Sequence, residues 1–168
     1  KNLITPSRIF TQDHRELRSL TRARESLIKV RTKIKNRVTH ELEAACIKLS
    51  SVIADVFGKS GRHIVDGLLN GMDLEKILES IPSGRVRKNK EEIRGIIQAN
   101  LSTSQIFLLR SHLNTIDVLT RQIKEIDAKI SDQISLRNED MKIALSMQGT
   151  GLISASILAE RRNLYSTY

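Results

Sequence analysis

The chain has 168 residues with 3% aromatic side chains, no tryptophan and two prolines. This composition suits long helices that meet along narrow apolar contacts better than a thick globular interior. A formal net charge of +9 points to a polyanionic partner, and a single cysteine excludes a disulfide within the chain.

The positive charge is concentrated near the N-terminus. Residues 1–40 contain eleven Lys and Arg against three acidic residues, a net charge of +8 that leaves the rest almost balanced. No apolar run approaches the roughly 18 residues that a membrane-spanning helix requires, and no signal-peptide apolar segment is evident. Because the single Cys46 fits a reducing compartment, we expect a soluble cytoplasmic protein with no membrane partner.

Residues 1–56 are predicted to contain the first long helix. Asp13 and Glu16 match a capping box just before an apolar periodic segment. Apolar residues then recur at spacings of three and four, which predicts one buried face, the first apolar seam. Its predicted members are Leu20, Ala23, Leu27, Val30, Ile34, Val38, Leu42, Ala45, Leu49, Val52 and Val56.

Residues 57–101 are predicted to form a small tip of short helices, because glycines and prolines interrupt the apolar pattern. Gly58 is expected to end the first helix in a left-handed conformation, and Ser60 to cap a helix over residues 61–70. The Gly-Lys-Ser at 58–60 is not a phosphate-binding loop, because Ile53 stands where that motif requires its first glycine.

The second half of the tip contains two further cap signals. Asp73 is predicted to cap a short helix over the segment DLEKILESI. A basic loop, SGRVRKNK, follows it. Asn89 with Glu92 then predicts a capping box for a helix that ends near Ala99.

The second long helix is predicted over residues 102–145 and opens with a capping box formed by Ser102 and Gln105. Two long helices, each too thin to bury its apolar seam alone, predict an all-α fold, an antiparallel coiled-coil hairpin with a small helical tip. The same seams could pair between two copies of the chain, and the sequence leaves both arrangements open. The second apolar seam comprises Ile106, Leu109, Leu113, Ile116, Leu119, Ile123, Ile126, Ile130 and Ile134.

Six cations share one face of the first helix, because they are spaced by three, four or seven residues. We call them the basic stripe: Arg15, Arg18, Arg22, Lys29, Lys33 and Arg37. Such a face could follow a phosphate backbone, with each neutralised phosphate adding salt-dependent affinity. Since only Glu16 and Glu25 lie nearby, we favour nucleic-acid contact over the alternative, a solvated flank of a coiled coil.

The stretch SMQGTGLISASILAE, residues 146–160, has the helix, Gly-x-Gly, helix pattern of a helix-hairpin-helix element. Gly149, Thr150 and Gly151 would form its turn, and the N–H groups of the following helix could bind a DNA phosphate without reading bases. A helix end followed by a simple turn fits the same residues equally well.

No catalytic or metal site is predicted. The four histidines, at positions 14, 40, 63 and 112, are at least 23 residues apart, which is unlike metal-ligand spacing. Glu125, Asp127 and Asp132 alternate with lysines as on a solvated helix face. We therefore expect no cofactor and no small-molecule substrate for this chain.

Several blocks resemble one family. The sequence from Phe10 to Leu69, with LRxLTRxRxxLxxxRTxxKNR at 17–37 and FGxSGR at 57–62, is similar to the central region of DEDD-type insertion-sequence transposases. These are RuvC-like, serine-using recombinases guided by a bridge RNA. LSMQGTGLISASILAE at 145–160 resembles the start of their C-terminal domain, with Gln148 and Thr150 replacing the proline and the apolar residue of a PGIG-like signature.

In that family the acidic metal ligands precede the coiled coil and the serine follows it, and the full-length enzymes resemble Mg-dependent nucleases. This chain is expected to begin after the acidic metal ligands and to stop before the serine. Residues 146–168 are expected to open the C-terminal transposase domain. The resemblance thus implies a non-catalytic central part that forms a homodimer and binds DNA, with guide RNA as a further candidate partner. The alternative is a structural coiled-coil oligomerisation module without nucleic-acid affinity.

Overall fold

The computed structural model describes residues 12–97 and 101–135, with side chains described for residues 15–97 and 101–133. These ranges contain helices joined by short connections and no β-strand, which confirms the predicted all-α class; Ile47 and Ile97 form an isolated antiparallel bridge. The helices are α1 (Gln12–Ala44), α2 (Lys59–Leu69), α3 (Leu74–Glu79), α4 (Gly84–Arg87), α5 (Lys90–Ile96) and α6 (Thr103–Ser135), with a short 3₁₀ turn at Leu49–Ser51.

The chain forms two compact units, and each long helix contributes to both. Among the described residues, the first unit contains 12–29 and 120–135, and the second contains 30–97 and 101–119. Among the described residues, no helix combines the length and the apolar character that a membrane span requires.

In the first unit, α1 and α6 pack against each other within one chain. Leu17 and Ile130 are buried together, and the half-buried Leu20 and Ile126 pack against them. Contacts between Glu16 and Gln133 and between Arg24 and Asp127 show that the two helices run antiparallel here, because residue numbers rise on α1 as they fall on α6.

The first apolar seam differs from its prediction in this unit. Ala23 and Val30, which were predicted to be buried, are exposed, and Val30 retains 42% of its accessible surface. The inward positions of α1 follow a seven-residue spacing from Leu17, and Arg24 occupies the next such position. Its guanidinium pairs with Asp127 of α6. An arginine can occupy such a position because its aliphatic stem packs while its guanidinium pairs with an acid.

The second unit contains the larger apolar core. Sections of α1 and α6 enclose it together with the short helices, and eight of its side chains, including Ile47, Ile64 and Leu109, have no accessible surface. Its buried members are Val38, Leu42, Ala45, Ile47, Leu49, Ile53, Val56, Ile64, Val65, Leu69, Ile77, Leu78, Ile81, Ile93, Leu109, Leu113 and Ile116.

Helix α1 ends at Ala44, so the prediction that it continues to residue 56 is wrong. Cys46 adopts a left-handed conformation with φ of 61°. The N–H of Cys46 donates to the carbonyl of Glu43, and the N–H of Ile47 donates to that of Leu42, at 2.9 and 2.8 Å. This is a Schellman motif, which satisfies the last carbonyls and turns the chain away from the helix axis.

The start of α2 also differs from its prediction. Gly58 is extended, with φ of −73°, and occupies the N-cap position of α2 rather than ending a preceding helix. Ser60 is a buried residue inside the first turn and not a cap. Gly61 is required by packing, because a Cβ there would lie 2.3 Å from the carbonyl oxygen of Val56.

The other helix boundaries follow the predicted cap signals to different degrees. Asp73 and Asn89 occupy the N-cap positions of α3 and α5, but neither side chain caps its helix, so the Asn89 to Glu92 capping box is wrong. The Ser102 to Gln105 box is confirmed, since the Ser102 N–H donates to Gln105 Oε1 at 2.9 Å and the Gln105 N–H to Ser102 Oγ at 3.3 Å. The basic loop includes the short helix α4.

The second apolar seam is confirmed over the described part of α6. Ile106 and Ile126 are half-buried, and the predicted positions beyond residue 133 lie outside the described side chains. The buried members are Leu109, Leu113, Ile116, Leu119, Ile123 and Ile130.

Replacing Gly61 by alanine should destabilise the protein by about 2 kcal/mol or more, because the added Cβ would overlap the Val56 backbone, which has no rotamer through which to yield. The measurement is the free energy of unfolding from urea denaturation. Gly95→Ala is the matched control, because its Cβ would have no neighbour within 4 Å. In the last turn of α5, that substitution should stabilise by up to about 1 kcal/mol. Equal stability of the two variants would contradict the close approach at Gly61.

Candidate nucleic-acid interface

The basic stripe lies entirely on α1, and most of it is solvent-exposed. In the first unit, Arg15, Arg22 and Lys29 are exposed and Arg18 is half-buried. In the second unit, Lys33 and Arg37 are exposed. Within each unit these cations therefore occupy a part of α1 that the apolar residues leave to solvent, and their charges are accessible to a ligand.

One cation of the basic stripe has a partner on its own helix. Lys29 Nζ lies 2.7 Å from Glu25 Oε1, an i,i+4 pair whose side chains are both largely exposed. The hydrogen bond and charge of Lys29 hold the pKa of the Glu25 carboxyl below its ordinary value. Surface pairs of this kind contribute little to stability, and solvent ions screen them. Lys29 thus offers less uncompensated charge to a ligand than an unpaired cation would.

Two further arginines of α1, Arg24 and Arg31, are half-buried. Arg24 Nε donates to Asp127 Oδ1 across the helix pair of the first unit, and its side chain is 23% exposed. Arg31, in the second unit, is half-buried. Neither belongs to the basic stripe. The half-buried arginines and the exposed arginines of the stripe therefore occupy different positions around α1. Sequence reasoning missed Arg24, because it searched the inward face for apolar residues only.

A second arginine group joins α2 to α6 inside the second unit. Arg62 Nε donates to Asp66 Oδ2 at 2.9 Å, while its Nη2 and Nη1 donate to the two oxygens of Asp117 at 2.9 and 3.3 Å. A guanidinium suits this double role because its five donors are fixed in one plane. Arg110 adds a further link, since its Nη2 donates to the carbonyl of Leu69 at 2.8 Å.

The FGxSGR block can therefore be interpreted residue by residue. Gly58 opens α2, Gly61 permits close contact with the Val56 backbone, and Arg62 fixes α2 to α6. The ammonium of Lys35 lies over the ring of Phe57, 4.8 Å from the ring centre, in a cation–π contact. All of these roles are structural, in agreement with the rejection of a phosphate-binding loop at this position.

The remaining predicted site residues lie elsewhere. Gly149, Thr150 and Gly151 fall outside the described residues, so their role stays a prediction. Within the described ranges, no group of three or more His, Cys, Asp or Glu side chains is arranged to hold a metal ion. The candidate functional groups among the described residues are therefore charged side chains. They are the accessible cations on α1 and the guanidinium to carboxylate contacts that hold helices together.

No protein-family description, curated protein sequence or solved structure matches the chain. The functional argument accordingly depends on the charges and the geometry of its own side chains.

Replacing Lys29 by glutamine should raise the pKa of Glu25 toward its ordinary value, because the largest cause of its lowering is the hydrogen bond from Lys29. A carboxylate with a lowered folded-state pKa contributes stability above its ordinary pKa, and that contribution is lost as the pH falls through the lowered value. The measurement is a pH titration of the Glu25 side-chain carboxyl by ¹³C NMR. Arg15→Gln, ten positions away on α1, is the control and should leave the titration unchanged. An unaltered Glu25 midpoint in Lys29→Gln would contradict the pairing.

Proposed function

We propose that the exposed basic face of α1 binds the phosphate backbone of nucleic acid. The observation that supports this proposal is the accessibility of the cations at positions 15, 22, 33 and 37, on a helix whose inward positions are apolar or paired. Cations three, four or seven residues apart on a helix project from one side, so that several of them can meet successive phosphates. Such contacts position a duplex without reading its bases.

The charge balance of α1 supports a polyanionic ligand over a solvated flank. Of the two acids near the basic stripe, Glu25 is engaged by Lys29, and Glu16 lies close to Gln133 on α6 with an oxygen to nitrogen distance of 3.5 Å. Arg15 and Arg22 are exposed and carry no ion pair within the described part of the chain. A cluster of uncompensated charge of one sign raises the local concentration of the opposite charge and accelerates association.

The wider role that we propose comes from the resemblance to insertion-sequence transposases. In that role the chain is a non-catalytic central part that associates subunits as a homodimer and holds DNA, or the guide RNA, during transposition and recombination. Gly149, Thr150 and Gly151 would add a phosphate contact at the start of the next domain. Strand cleavage would require carboxylates and a serine supplied by other parts of such an enzyme.

Replacing Arg15 and Arg22 together by glutamine should weaken duplex-DNA binding and reduce its salt dependence. Each lost phosphate contact lowers the slope of log K against log salt concentration by about 0.9, so the pair should lower it by about 1.8. The measurement is the fluorescence anisotropy of a labelled duplex at several salt concentrations, with the mass of the protein in solution determined in parallel.

The matched control replaces Arg121 and Lys124, two exposed cations of α6 in the same unit, by glutamine. This variant has the same net charge, so a smaller loss of affinity would assign binding to the face of α1 rather than to total charge. Equal losses in the two variants would contradict the proposal. A protein that is dimeric but binds neither DNA nor RNA would instead identify an oligomerisation module.

A further inference from the structure

A second group of cations lies in the second unit, on and around α4. The segment from Gly84 to Lys90, which we call the α4 basic segment, contains four exposed cations and no acidic residue. They are Arg85, Arg87, Lys88 and Lys90. The basic stripe of α1 does not include them, and the fold of the second unit does not explain all of them.

Only one of the four has a clear structural role. The Nε and Nη2 atoms of Arg87 donate to the carbonyl of Ile81 at 3.2 and 2.7 Å, which ties α4 to the preceding turn. Within the described part of the chain, Arg85 and Lys88 form no ion pair. Their charges are therefore available to a ligand.

Two of the neighbouring acids, Glu75 and Glu91, are paired with another arginine, and Glu79 lines a further cavity beside the segment. Arg94 donates to both oxygens of Glu75, at 2.8 and 2.6 Å, and it also binds Glu91. The hydrogen bond from Arg94 is the main cause that holds the pKa of Glu75 below its ordinary value. Because Arg94 neutralises these two acids, they compensate the α4 basic segment only weakly.

A cavity of about 440 Å³ adjoins the α4 basic segment and has both apolar and polar walls. Val52, Ile53, Ala54 and Val86 supply the apolar surface; Asp55, Ser60, Ser83, Arg85 and Asn89 supply polar groups. A volume of this size is typical of sites that take small organic groups.

Ser60 is the clearest sign that this cavity suits a polar ligand. The residue retains only 7% of its accessible surface, yet it lines the cavity. A hydroxyl at the wall of a cavity can both donate a hydrogen bond to a ligand and accept one from it.

We propose that this cavity and the α4 basic segment form a second nucleic-acid site, which takes an unpaired nucleotide. The base enters the cavity, where its faces contact Val52 and Val86 and its polar edge meets Ser60 and Asn89. The phosphates on either side of that base lie against Arg85 and Lys88. A paired and stacked base cannot enter such a cavity, so the site selects single-stranded over duplex nucleic acid.

This inference takes its ligand class from the proposed function, but it rests on different residues in a different unit. The α1 face presents exposed cations along the surface of one helix, which suits a duplex backbone. The α4 site combines cations with an adjoining cavity, which suits a strand whose bases are exposed. The two sites therefore differ in the form of nucleic acid that they favour.

The test compares a labelled single strand of DNA, a single strand of RNA of the same sequence and the corresponding DNA duplex, by fluorescence anisotropy with the whole chain. Ala54→Trp fills the cavity from an exposed position without changing any charge. It should weaken single-strand binding by about tenfold, the scale of one lost base contact, and leave duplex binding within about twofold of wild type.

A second variant removes the charges and has a matched control. Arg85→Gln with Lys88→Gln should weaken single-strand binding more than Lys48→Gln with Lys76→Gln, which removes two exposed cations elsewhere in the same unit. Circular dichroism and thermal melting establish that each variant is folded. Single-strand binding that survives both the Ala54→Trp and the Arg85/Lys88 substitutions would overturn the α4 site.

The outcomes separate the two proposals. Duplex binding that falls only in the Arg15/Arg22 variant, together with unchanged single-strand binding in the α4 variants, would keep the proposed function and overturn the α4 site. Selective loss of single-strand binding in Ala54→Trp, with duplex binding insensitive to Arg15 and Arg22, would support the α4 site and overturn the α1 face. A wild-type protein that binds no nucleic acid would overturn both.

Discussion

The burial of one apolar face of α1 against α6, within a single chain, is the interaction on which the other features depend. In the first unit it joins Leu17 to Ile130, and in the second it contributes Val38, Leu42 and Leu109 to the larger core. Within each unit, burying one side of α1 leaves the residues on its other side exposed. The exposure of Arg15, Arg22, Lys33 and Arg37 follows from that constraint, and so does the inward position of Arg24.

The short helices depend on a few contacts that only particular residue types can make. Gly61 lets α2 approach the Val56 backbone, and no side chain could occupy the same space. Arg62 then binds Asp66 and Asp117 together, which fixes α2 along α6. These contacts hold the second unit in a form that leaves α4 exposed beside its cavity. The resemblance block FGxSGR is thus explained by packing and ion pairing rather than by phosphate binding.

Sequence reasoning succeeded where the signal is local or strictly periodic. The Ser102 to Gln105 box was predictable because both partners lie within one turn. The second apolar seam was predictable because every buried position on the described part of α6 is Ile or Leu. The end of α1 was not predictable from the sequence, because apolar residues continue at helical spacing beyond Cys46. Cysteine also has no preference for the left-handed φ that Cys46 adopts, so the residue type gives no signal that the helix ends there. The cavity beside α4 was also unpredictable, since residues 52–55, Ser60 and residues 83–89 come together only through tertiary packing.

The central claim is that the outward cations of α1 contact phosphate, and residue-level footprinting tests it most directly. Arginine modification by phenylglyoxal and lysine acetylation would be quantified by mass spectrometry with and without a saturating DNA duplex. The account predicts protection of Arg15, Arg22, Lys33 and Arg37, with no change at Arg121 and Lys124 on α6. Protection spread equally over both helices, or confined to α6, would contradict it.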